Sequence, residues 1–78
     1  MVKAYVLIVT NPGATRSVAQ ALSEIPNVNA IHEVMGPYDI VVELEVSSLR
    51  DVPSILSDKI RTIPGIESTT SLVTFPDE

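Results

Sequence analysis

From Lys3 to Thr10 the chain has no polar face. Ala4, Val6 and Ile8 fall on one alternation, Tyr5, Leu7 and Val9 on the other. Such a run reads as a strand covered on both sides. Asn11-Pro12-Gly13 is turn chemistry. The period then becomes helical: Ala14, Val18, Ala21, Leu22 and Ile25 make one stripe over about 14–24, and Pro26 ends it. Val28 to Met35 is predicted as a second strand, and Gly36-Pro37-Tyr38-Asp39 as a tight connection. Ile40 to Val46 is the clearest strand. Ile40, Val42, Leu44 and Val46 share one side, and Val41 shares the other with Asp39, Glu43 and Glu45. Ser47-Ser48 opens a second helix. Ser48 and Asp51 have capping-box spacing, and Pro53 fits the first turn. Val52, Ile55, Leu56, Ile60 and Ile63 form its buried stripe, and Pro64-Gly65 stops it. Ile66 to Phe75 reads as a fourth strand rich in hydroxyls: Ser68, Thr69, Thr70, Ser71 and Thr74.

The pattern repeats itself. Ile25-Pro26-Asn27-Val28 is echoed by Ile63-Pro64-Gly65-Ile66, each after a helical stretch and before a strand. Two strand–helix–strand copies predict an α+β domain of the ferredoxin-like β-α-β-β-α-β plan, a four-stranded antiparallel sheet with two helices on one face. Seventy-eight residues make a single domain over residues 1–78. A domain this small buries only about 60% of its unfolded surface. It has no cysteine for a disulfide or thiolate metal site. Oligomerisation is the remaining source of stability, and a second subunit is the economical cover for the outer face of the first strand.

Charge narrows the functions. Five Lys and Arg stand against ten Asp and Glu, a formal net of −5, and the cations form no basic run. Phosphate backbones need clustered positive charge, so direct nucleic-acid binding is not expected. With only Tyr5, Tyr38 and Phe75 as aromatics, the sheet lacks the stacking platform of an RNA-binding domain. No apolar run approaches the roughly 18 residues of a membrane span. Tyr5 to Val9 is too short for a signal peptide, so a soluble cytoplasmic protein is expected.

Little of the chain invites catalysis. His32 is the single histidine, with no second His and no Cys to share a metal. The simpler reading is a strand histidine met by a cross-strand partner. Glu43 and Glu45 could do acid–base work or bind a cation, but such alternation commonly marks a solvated or interface-rim face. No cofactor is implied. Gly36-Pro37-Tyr38-Asp39 says more. Gly36 permits positive φ and Pro37 is rigid, so backbone N–H groups can point outward beside the Asp39 carboxylate. A free amino acid needs donors for its carboxylate and an anion for its ammonium. Equally, Asp39 can simply hydrogen-bond the turn backbone. The Ser68–Ser71 run adds neutral hydroxyls, or merely reflects the strand preference of Thr.

In these segments the chain resembles the effector-binding (RAM) domain of the Lrp/AsnC family of transcription regulators. The matching pieces are Ala4-Tyr5-Val6-Leu7-Ile8, Ile25-Pro26-x-Val28, Val34-Met35-Gly36-Pro37-Tyr38-Asp39, and Ile63-Pro64-Gly65-Ile66 leading into Thr69-Thr70-Ser71-Leu72-Val73. The resemblance implies domains that dimerise through their sheets and assemble into an octamer or decamer, with an amino-acid effector between dimers. Carried over, the ligand-binding residues would be Met35, Gly36, Pro37, Tyr38, Asp39, Thr69, Thr70 and Ser71. Full-length members carry an N-terminal helix-turn-helix. Here the first strand starts near residue 3, so a stand-alone domain without a DNA-binding part is expected. It would act through a partner such as a full-length Lrp/AsnC regulator. The rival readings are a small dimeric ferredoxin-like enzyme of monooxygenase or isomerase type, resting on His32 and Glu43/Glu45, and a purely structural oligomeriser. Acylphosphatase-like and metal-chaperone readings fail for want of an Arg-bearing glycine loop and a Cys-x-x-Cys.

Overall fold

A computed structural model of the chain describes residues 2–74. Four strands form one antiparallel sheet in the order β2-β3-β1-β4: β1 (Val2–Thr10), β2 (Val28–Glu33), β3 (Ile40–Val46) and β4 (Ile66–Val73). With helical segments after β1 and β3, this is the ferredoxin-like plan expected from the echo. β1 pairs with β3 through Val6↔Val42 and with β4 through Val6↔Ser71. The side chains of Ala4, Val6, Ile8, Ile40, Val42 and Leu44 are fully buried. Val18, Leu22, Ile25, Val52, Ile55, Leu56 and Ile60 from the helical segments and their flanks close the core over them.

The first helix, α1 (Thr15–Leu22), is shorter at both ends than the apolar stripe suggested. Its last turn gives way to single turns in which Glu24 N–H bonds Ala21 O and Ile25 N–H bonds Leu22 O. β2 stops at Glu33 rather than Met35, because Val34 already belongs to the connection, its N–H bonded to Asp39 O. The second helix is not continuous. Leu49–Asp51 is a 3-10 turn, Val52–Ile55 an α-helical turn (α2) with Pro53 near its start, and Leu56–Ile60 a π turn. The wide turn, closed by Arg61 N–H to Leu56 O at 2.8 Å, brings Ile55 and Ile60 onto one face, and both are buried. The capping box does not form. Ser48 Oγ accepts from Arg50 N–H at 3.3 Å, while the Asp51 side chain caps nothing. β4 ends at Val73; Phe75 lies outside the described residues.

Tyr5, Leu7 and Val9 of β1 lie with Val41 of β3 and Leu72 of β4 on the face away from the helices, and Leu72 is 52% exposed. No element among the described residues packs over that apolar strip, the second face of β1 for which a cover was expected. Its border is polar: Lys3 pairs with Glu43 at 3.7 Å.

The glycines of the turn after β1 and of the second Ile-Pro corner differ in packing. Gly65 has φ +99°, and a Cβ there would stand 2.8 Å from Ala14 Cβ and 3.1 Å from Val18 Cγ2. Gly13, with φ +83°, has nothing within 4 Å. Gly65→Ala is expected to cost about 2–4 kcal/mol, combining backbone strain with overpacking. Gly13→Ala should cost about 1–2 kcal/mol from strain alone. Urea denaturation checks both, and equal losses would show that the Ala14 contact is not limiting.

Candidate functional site

The six residues Val34–Asp39 link β2 to β3 at the end of the sheet where β1 finishes. Two backbone bonds fix the base of this hairpin: Val34 N–H to Asp39 O at 2.9 Å, and Asp39 N–H to Ile8 O at 2.8 Å. Gly36 takes φ +134°, a conformation that L side chains rarely adopt, and Met35 is 98% exposed. Pro37 has no N–H. The N–H groups of Met35, Gly36 and Tyr38 donate to nothing among the described residues. Adjacent unused N–H groups on a rigid turn are a ready place for an anion.

Asp39 does a specific structural job. Ile8 is the last β1 residue paired with β3, so Thr10 N–H, two residues on, meets no β3 backbone. Asp39 Oδ2 fills the place and accepts from Thr10 N–H at 2.8 Å. The Thr10 hydroxyl lies 3.3 Å from the same oxygen and 2.7 Å from Thr15 Oγ1, on the first residue of α1. Oδ1 receives no hydrogen bond among the described residues. Asp39 therefore does bond backbone, but that of β1 rather than of its own turn, and one oxygen stays open. It also turns away from Glu43 and Glu45, with which strand alternation had grouped it. Thr10 escaped the sequence reading. Its signal was a hydroxyl ending the core alternation Ala4, Val6, Ile8.

The β4 hydroxyls do not act as one group. Thr69 opposite Ile8 and Ser71 opposite Val6 lie on the helix side, whereas Thr70 opposite Leu7 lies on the open face. Thr69 Oγ1 accepts from Arg61 Nε at 3.3 Å. Ser71 lines a groove of about 500 Å³ with Leu49, Val52, Pro53 and Leu56. Ser68 and Thr69 line another of about 350 Å³ with Arg61 and Ile66. Neither groove includes a hairpin residue. Within one chain, β1 separates the hairpin from β4.

The open face carries the remaining titratable candidates. His32 opposes Val41, is exposed and makes no hydrogen bond or ion pair among the described residues. The cross-strand partner anticipated for it is thus an apolar neighbour. A bulge between Val28 and Ala30 leaves Asn29 unpaired, and its amide donates to Glu43 Oε2 at 2.6 Å. No cluster of three or more His, Cys, Asp or Glu suited to a metal occurs among the described residues.

The profile of the Lrp/AsnC ligand binding domain matches residues 3–76. The chain belongs to the Lrp/AsnC ligand-binding domain family. It is 35% identical over 75 residues to an uncharacterized HTH-type transcriptional regulator of Pyrococcus abyssi, covering 92% of this chain and 50% of that protein. A Pyrococcus horikoshii regulator of the same description matches equally. The chain thus spans about half the length of these curated relatives. Among solved structures, FFRP-DM1 superposes with a TM-score of 0.91 at 35% identity, covering 96% of this chain and 100% of that one. The relatives matched over half their length are described as transcriptional regulators. A homocitrate synthase of Sulfurisphaera tokodaii is 40% identical over 60 residues, but these make only 13% of that enzyme. No helix among the described residues is long and apolar enough to cross a membrane.

One polar contact of this Lrp/AsnC domain has a pH signature. The Asn29 amide holds the Glu43 carboxyl below its ordinary value of 4.5; desolvation opposes this and Lys3 adds to it. A depressed carboxyl pKa contributes stability that is present above the ordinary value and lost as pH falls through the lowered one. Asn29→Ala is expected to move the Glu43 titration upward toward 4.5, read by NMR of the side-chain carboxyl. An unmoved titration would assign the shift to Lys3 instead.

Proposed function

We propose that this chain is a cytoplasmic amino-acid sensor that assembles through its open sheet faces and binds its effector where hairpin and β4 hydroxyls of different copies meet. The observation that carries this is the hairpin: three N–H groups with no partner among the described residues, in the same turn as a carboxylate whose Oδ1 accepts nothing from them. The N–H groups suit the carboxylate of a free amino acid, and Asp39 Oδ1 suits its ammonium. Met35, Gly36, Pro37, Tyr38 and Asp39 form one half of the site. The candidates for the other half come from β4 of a neighbouring copy, Thr70 on its open face and Thr69 with Ser71 on its helix side, since a single chain keeps hairpin and β4 apart. An effector seated between copies favours the assembly that completes its site, because only differential affinity shifts an equilibrium.

The acidic charge supports an output through a partner rather than direct DNA contact. A full-length Lrp/AsnC regulator offers a matching sheet. A Neisseria meningitidis regulator solved as an L-Met complex shares the fold, with a TM-score of 0.85 at 13% identity, which puts L-methionine on the list to try.

Three measurements test this. One or more common L-amino acids, L-methionine included, should raise the melting temperature by mass action. A flat response across the panel would sink the sensor reading. Asp39→Ala should weaken binding of the responding amino acid by about 1–3 kcal/mol in calorimetry, since it removes the ammonium's acceptor. Leu7→Lys, which places a charge in the apolar strip opposite Thr70 and Val41, should shift sedimentation toward the monomer. An unchanged sedimentation coefficient would place the contact elsewhere.

A further inference from the structure

We propose that Thr10 is the positioning residue of the ligand site: it grips one oxygen of Asp39 and so aims the other at the ammonium of the bound amino acid. This rests on the reading of Asp39 as a ligand group.

Thr10 is buried, 6% exposed, at the end of the alternation Ala4, Val6, Ile8. A valine would continue that alternation and fill nearly the same space. The hydroxyl adds nothing to apolar burial, and a buried hydroxyl is costly unless bonded. Here it is bonded on both sides, to Asp39 Oδ2 and to Thr15 Oγ1. A hydroxyl has a single proton. Ionised Asp39 can only accept, whereas Thr15 can donate. The arrangement that satisfies all three groups runs Thr15 O–H to Thr10 Oγ1, and Thr10 O–H to Asp39 Oδ2. The chain of donors therefore ends on the carboxylate.

With Thr10 N–H also on Oδ2, at 2.8 Å, that oxygen receives two donors and the carboxylate cannot rotate freely. Oδ1 is left as the one open acceptor in a fixed orientation. A group held in its binding orientation spares the ligand the ordering cost of fixing it. Thr10 is itself held from the other half of the fold. Asn11 N–H bonds Gly65 O at 2.8 Å and Ala14 N–H bonds Asn11 O at 3.0 Å, so the bend after β1 is fixed by the corner that starts β4.

The test uses the whole chain and the common L-amino acids, each added alone, with the strongest responder in thermal shift carried into calorimetry. Thr10→Val should weaken that amino acid roughly tenfold, the worth of a hydrogen bond to a charged group, while leaving the melting temperature of the free protein within a few degrees. Thr10→Ser, which restores the hydroxyl, should bind within about threefold of the parent chain. A merely structural Thr10 predicts the reverse, a lower melting temperature in both variants with affinity unmoved. Should Thr10→Val fail to fold, Thr15→Val removes only the outer donor and should cost roughly threefold in affinity. If Thr10→Val, or Thr15→Val in its place, binds like the parent while Asp39→Ala loses binding, the positioning role is overturned and the sensor reading stands. If no amino acid binds the parent chain, both fall together.

Discussion

Backbone hydrogen bonds hold β1 between β3 on one edge and β4 on the other, and its side chains are apolar on both faces. Every larger feature follows from that placement. The helical segments cover Ala4, Val6 and Ile8 and thereby set which face of β3 is buried. Among the described residues no element packs over the opposite strip, Tyr5, Leu7 and Val9, which remains an apolar surface. Where β1 ends, the hairpin and the start of β4 flank it on either side, and Thr10 is the residue that both neighbours must accommodate.

The echo of the two halves builds a scaffold, and its departures give each corner separate work. At the first corner, Asn27 O accepts from Glu45 N–H at 3.0 Å, tying the loop to β3. At the second, Gly65 lies against Ala14 and Val18, an approach that no side chain allows. The first corner therefore secures the outer part of the sheet, while the second locks β4 to α1.

Most of the architecture was legible in the sequence because it rests on period and punctuation. The alternations of β1 and β3, the Ile-Pro corners and the glycine turn each have a local physical cause. What was not legible depends on neighbours distant in the chain. The π turn after α2 accompanies the burial of both Ile55 and Ile60, five residues apart, a spacing the ordinary helix period does not foretell. The shared hydroxyl run of β4 looked like one polar site, yet Thr69 and Thr70 face opposite sides of the sheet, as the strand period itself demands. Gly36 and Pro37 mark the hairpin in the sequence, but the direction taken by Asp39 depends on Thr10, twenty-nine residues earlier. Apolar alternation hid Thr10 among core residues.

The connectivity of the sheet also orders events in time. The β2–β3 hairpin closes a short loop and can form from local contacts alone. The pairing of β1 with β4 joins Ala4 to Val73, almost the full span of the chain, and such non-local contacts form slowly. Asp39 sits on that hairpin, and its Thr10 partner comes from the central strand, twenty-nine residues earlier. A chain that has collapsed without seating β1 beside β3 therefore holds the Asp39 carboxyl with nothing to orient it.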